Sequence, residues 1–143
     1  MNSIWTNPPF LTLVITAGIG QLIKVIIFYI KSRRVHLIDM VATGGMPSTH
    51  CATTAGLATI IYLTEGTTTA FFIALSIAFI ITVDALGVRR TAGEEGQIIH
   101  RLLQKVHFKI KEPYYSLGHT PVQVLAGILF GIVVAIGVNG LLS

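Results

Sequence analysis

Phe10 to Ile30 is an apolar stretch interrupted only by Gln21 and Lys24, and two more of similar length follow, Thr68 to Val88 and Pro121 to Leu142. At about 1.5 Å per residue, each is long enough to cross a hydrocarbon layer of ~30 Å as a helix. Ser48 to Leu63 is shorter and carries Thr49, Thr53, Thr54 and Thr59, which fits an inner helix with a polar side turned into a bundle. Composition agrees, because 52% hydrophobic and 11% charged content over 143 residues is too apolar for an ordinary soluble domain of this size. The expected fold is all-α: a polytopic membrane helix bundle of four transmembrane helices plus one amphipathic cytoplasmic-face helix, forming a single integral membrane domain over residues 1–143. The single cysteine, Cys51, allows no internal disulfide and is too few for a thiolate metal site.

The net charge of +4 is distributed as membrane topology rather than as a nucleic-acid surface. Lys31, Arg33 and Arg34 follow the first apolar stretch, and Arg89, Arg90, Arg101, Lys105, Lys109 and Lys111 lie between the third and fourth. The turn Glu65-Gly66-Thr67 and both termini carry no basic residue. The positive-inside rule then puts both basic segments in the cytoplasm and both termini outside, in a multi-pass protein of the cell membrane. The start of the chain lacks the charged region and small-residue cleavage site of a secretory signal, so the first span is expected to be retained. Between Glu94 and Lys111, Ile98, Ile99, Leu102, Leu103, Val106 and Ile110 recur at helical spacing, while Arg101, Lys105 and Lys109 form a row on another side. Such a helix lies on a membrane surface with its basic side toward anionic headgroups, or packs on a partner subunit. Pro113, before Tyr114 and Tyr115, is expected to end it.

Several side chains sit where a membrane tolerates them poorly. An ammonium at the depth of Lys24 costs roughly 2.5–3.5 kcal/mol on insertion scales, less if it snorkels to the interface. Thr43-Gly44-Gly45-Met46-Pro47-Ser48-Thr49-His50 reads as a glycine-rich turn into a helix start, whose free N–H groups and positive dipole end suit an anion. Gly44 and Gly45 let backbone approach a ligand, Ser48 or Thr49 can cap the helix, and His50 adds a transferable proton. Asp84, Arg89 and Arg90 close the third span, and His119 precedes the fourth, with Gln123 on the same face. Taken singly these are a snorkelling lysine, a helix cap, an ion pair and an interfacial histidine. The topology, however, brings all of them to one membrane depth at the cytoplasmic end. Two imidazoles, three cations and a helix N-terminus, with few carboxylates, are suited to holding a phosphate and splitting its ester without a metal or other cofactor. One histidine can attack phosphorus and the other can protonate the departing oxygen.

Gly44-Gly45-Met46-Pro47-Ser48-Thr49-His50, Asp84-Ala85-Leu86-Gly87-Val88-Arg89-Arg90 and Gly118-His119-Thr120-Pro121 resemble the three signatures of the divergent PAP2 family, small membrane proteins related to acid phosphatases and vanadium haloperoxidases. The likeness runs from Lys24 through the last span. It implies Lys24 as a phosphate ligand, Ser48 as a donor to phosphate beside Gly45 and Thr49, His50 as general acid and His119 as nucleophile. Three positions depart from the wider type 2 phosphatase pattern. Gln123 stands where an aspartate would orient the nucleophile, leaving Asp84 to supply that charge. Pro113 stands where an arginine would bind phosphate, leaving that role to Arg89 or Arg90. Thr49 replaces a glycine.

The activity this implies is hydrolysis of a lipid phosphate monoester, phosphatidylglycerophosphate- or phosphatidate-like, through a phosphohistidine, at the inner leaflet. Two other classes fit the same residues. One is a non-catalytic membrane protein that binds anionic lipid or a partner through its cations. The other is a small oligomeric transporter, with Gly127-Ile128-Leu129-Phe130-Gly131 as the contact face of a homo-oligomer. A metal site built from His50, Asp84 and His119 is a further use of the same groups.

Overall fold

In the computed structural model, residues 4–33, 45–106 and 118–143 are described, and among them all regular structure is helical. A short 3-10 turn at Ile4–Thr6 leads into α1 (Pro8–Ser32), followed by α2 (Thr49–Glu65), α3 (Thr69–Leu86), α4 (Val88–Lys105) and α5 (Pro121–Leu142). The starts follow from local chemistry. The Asn7 side chain accepts from the Phe10 N–H, and Pro8 and Pro9 fill positions that need no N–H donor. The Thr68 hydroxyl accepts from Phe71. Thr120 and Gln123 form a reciprocal capping box ahead of Pro121.

Three helical stretches are long and apolar enough to cross a membrane, Pro8–Ile30, Thr69–Lys105 and Pro121–Leu142. The expected fourth span, α2, has 17 residues, or about 26 Å, and is the helix the others surround, packing on α1, α3 and α5. The polar side expected of it is accommodated locally: the hydroxyls of Thr53, Thr54, Thr59 and Thr64 donate to carbonyls one turn back.

Helix α5 runs parallel to α2, and glycines let the two backbones meet. A Cβ on Gly131 would overlap the Ala52 carbonyl oxygen, and one on Gly127 would overlap that of Ser48. Gly56 faces back across the contact, 3.1 Å from the Gly131 carbonyl to where its own Cβ would stand. The Gly127–Gly131 face expected between copies of the chain is therefore buried within one chain, because only glycine permits this approach. Ala58, Ile60, Ile61, Ala74, Ala135 and Val138 close the end of the bundle away from the site. Cys51, Ala85 and Val124 form a second layer beneath the site.

The boundary between the third span and the amphipathic helix differs from expectation. The span ends at Leu86 rather than Val88, and α4 begins at Val88 rather than Glu94, with Gly87 serving as C-cap of one helix and N-cap of the next. Arg89 and Arg90 thus belong to the first turn of α4, not to the end of the span. Among the described helices α4 packs only on α3, and it leaves Ile98, Ile99, Leu102 and Val106 exposed along one side, the amphipathic pattern read from the sequence. Arg34, Gly44, Lys109, Ile110, Lys111 and Pro113 to Tyr115 lie outside the described residues, as does the expected end of the amphipathic helix.

Candidate functional site

His119 is held by three contacts that the fold makes around it. Its backbone N–H donates to the Ala85 carbonyl at 3.2 Å, which ties the loop before α5 to the last turn of α3. Gly118, at φ +63°, lies so close to α4 that a Cβ would stand 2.6 Å from the Arg90 backbone nitrogen. The ring Nδ1 lies 3.3 Å from Gln123 Oε1. That oxygen also accepts the Thr120 N–H at 3.0 Å, so it is the amide oxygen that faces the ring and Nδ1 must carry the proton. Nε2 is left with its lone pair free, the state a nucleophile needs.

Three helix N-termini meet around this loop. The Ser48 N–H, at the start of α2, donates to the Gln123 carbonyl in the first turn of α5 at 3.1 Å. The first turn of α4 is pressed against Gly118. The α2 and α4 starts carry no side-chain cap, so their first-turn N–H groups and partial positive charge suit an oxyanion, whereas the capped α5 start adds its dipole. Only the α2 start and the Pro121 start were visible in the sequence. Glycine before histidine before a helix-opening proline was the signal that this loop would be tightly seated, but its neighbour across the chain was not.

Lys24, on α1, is 8% exposed, and neither of the two side-chain ion pairs among the described residues includes it. Its charge reaches both His119 and His50, as does that of Arg89. The structure thus brings Lys24, His50, Arg89 and His119 to one end of the bundle. His50 itself is exposed at the first turn of α2. Ser48 Oγ and Thr49 Oγ1 are buried with no partner among the described residues, and Gly20 packs against Thr49. Gly45, at φ +84°, makes the exposed turn just before them.

One expectation is corrected and two alternatives are narrowed. Asp84 does not orient His119: its carboxylate pairs with Arg89 at 2.7 Å, and its charge bears on His50. Gln123 makes the contact with the His119 ring. Arg90 turns along α4 to Glu94 at 3.0 Å, so of the two arginines only Arg89 reaches the histidines. Among the described residues no three His, Cys, Asp or Glu side chains group as a metal-ligand set, so His50, Asp84 and His119 do not assemble as one.

Burial holds the His119 imidazole below its usual range; the Gln123 hydrogen bond opposes the shift, and the charges of Lys24, His50 and Arg89 add to it. An ordinary histidine titrates near about pH 6.5, so His119 keeps its neutral, nucleophilic form to a lower pH. The acidic limb of a rate that requires this form lies below that value. Gln123→Glu would place a carboxylate on Nδ1 and favour the imidazolium. The acidic limb of kcat/KM is expected to move to higher pH in that variant, and a limb that stays put would show that this contact does not control the ring.

A bundle of membrane-crossing helices with a buried lysine, two histidines and three helix N-termini gathered at one end defines a small polytopic membrane protein with a candidate anion site. The chain belongs to the Divergent PAP2 family, whose model matches residues 5–134. It is 34% identical to the uncharacterized membrane protein YuiD of Bacillus subtilis, over 92% of this chain and 93% of that protein. No solved structure matches it significantly.

Proposed function

We propose that the protein is a membrane-embedded phosphohydrolase acting on a lipid phosphate monoester at the cytoplasmic leaflet. The observation that carries this reading is Lys24: an ammonium 8% exposed, in no ion pair among the described residues, with its charge reaching both histidines. A buried cation without a counter-charge is unfavourable by several kcal/mol, and a phosphate would remove that penalty. In the reaction, His119 Nε2 attacks phosphorus and forms an N–P bond while the P–O bond to the lipid breaks. His50 delivers its proton to the departing oxygen. Water then attacks the phosphohistidine, His50 takes up a proton, and the N–P bond breaks to release phosphate. Lys24, Arg89 and the helix N-termini stabilise the charge on the phosphoryl oxygens throughout. The basic residues clustered at this end support the cytoplasmic location.

The test is phosphate release by the purified protein from phosphatidate and phosphatidylglycerophosphate in mixed micelles, with a chelator present. Hydrolysis of at least one lipid is expected. Lys24→Met should lower kcat/KM by about 10- to 100-fold, the loss of a charge-assisted hydrogen bond of roughly 1.5–3 kcal/mol. Full activity in Lys24→Met, or none in the wild type on any lipid phosphate, would sink the reading.

A further inference from the structure

A groove of about 480 Å³ between α2, α3 and α5 takes no part in the chemistry above. Its end nearer the site is bounded by Ala55, Thr82 and Ile128, and its far end by Tyr62 and Phe71, whose rings lie 5.4 Å apart. Ala78 lines the wall between. From Phe71 to Thr82 the α3 wall is roughly 16 Å long. Ile128 at the near end packs against the Cys51, Ala85 and Val124 layer, and Ala85 is the residue whose carbonyl holds the His119 N–H. One residue layer thus separates the groove from the nucleophile.

We infer that this groove holds the hydrocarbon chain of the lipid phosphate whose headgroup Lys24 and the histidines bind, an inference that rests on the phosphohydrolase reading. Three features select this occupant. The α3 and α5 walls belong to membrane-crossing stretches, where the surrounding medium is hydrocarbon. The groove is lined almost wholly by apolar side chains, and its near end lies one residue layer from the cationic end of the bundle. An amphiphile with an anionic head and an apolar tail matches both ends at once. The groove therefore contributes selectivity for lipid over soluble phosphate esters, by burial of the chain rather than by recognition of the head.

The experiment uses the full chain in phosphatidylcholine nanodiscs with a phosphatidate carrying a diazirine midway along one acyl chain, followed by irradiation and peptide mapping. Labelling is expected on Ala55 to Tyr62 and Phe71 to Thr82, and excess unlabelled phosphatidate should compete it away where excess phosphatidylcholine does not. Ala78→Phe, filling the groove, should lower labelling there by about tenfold, the value of excluding roughly two methylene groups. Thr59→Phe gives the same test from the opposite wall should the first variant not fold. Ile73→Phe, exposed on α3 outside the groove, should leave labelling within about twofold of wild type, less than burial of one methylene is worth. Equal competition by phosphatidylcholine would mean bulk lipid only, and chain-to-chain cross-links would mean a second copy fills the groove; either overturns the inference. Labelling that persists in a protein releasing no phosphate would defeat the chemistry and leave the groove assignment standing.

Discussion

His119→Ala is expected to lower phosphate release by about 10³-fold or more, the scale on which removal of a covalent nucleophile acts. The expectation follows from how firmly the ring is held. The Ala85 carbonyl and the Gly118 contact fix the backbone, and Gln123 Oε1 fixes the tautomer with Nε2 free. No other described imidazole is placed this way: His50 is exposed at a helix start, and His100 lies in α4 beside Gln104. Acid-labile phosphate bound to wild-type protein, and absent from the His119→Ala variant, would identify the intermediate. His50→Ala should slow esters with poor leaving oxygens more than activated esters, since its proton assists departure. If His119→Ala released phosphate at the wild-type rate, the nucleophile would have to be sought elsewhere.

Gly131→Leu should be the most damaging single substitution in the bundle away from the site. Even a Cβ at this position overlaps the Ala52 carbonyl, so a leucine forces α2 and α5 apart. Overpacking typically costs 1–3 kcal/mol, and a rigid backbone contact puts this case at about 3 kcal/mol or above. The displacement also reaches the site, because the Ser48–Gln123 backbone bond joins the same two helices. Gly137→Leu provides the control, since a Cβ there meets nothing within 4 Å. Thermal midpoints in detergent should drop sharply for the first variant and stay near wild type for the second. Similar midpoints for both would show that the close approach contributes little to stability.

The all-helical membrane character was legible from the length of the apolar stretches, because a chain crossing hydrocarbon has few ways to satisfy its backbone. Lys24, within an apolar span, and His119, ahead of a helix-opening proline, also stood out in the sequence, since each is costly or unusual where it stands. The reach of α4 was not legible. Its apolar period becomes clear only after Glu94, whereas its first turn, Val88 to Thr91, is set by Gly87 and by packing against Gly118.

Local sequence thus fixed which segments are helical and which residues a membrane would reject, because both depend on hydration and on backbone hydrogen bonding within a few turns. Partnership was decided only by the tertiary fold. Asp84 pairs with Arg89, Gln123 rather than Asp84 contacts His119, and Gly127 and Gly131 close on α2 instead of on another copy. These choices depend on ångström-scale approach between helices distant in the chain, which the order of residues along any one helix does not encode.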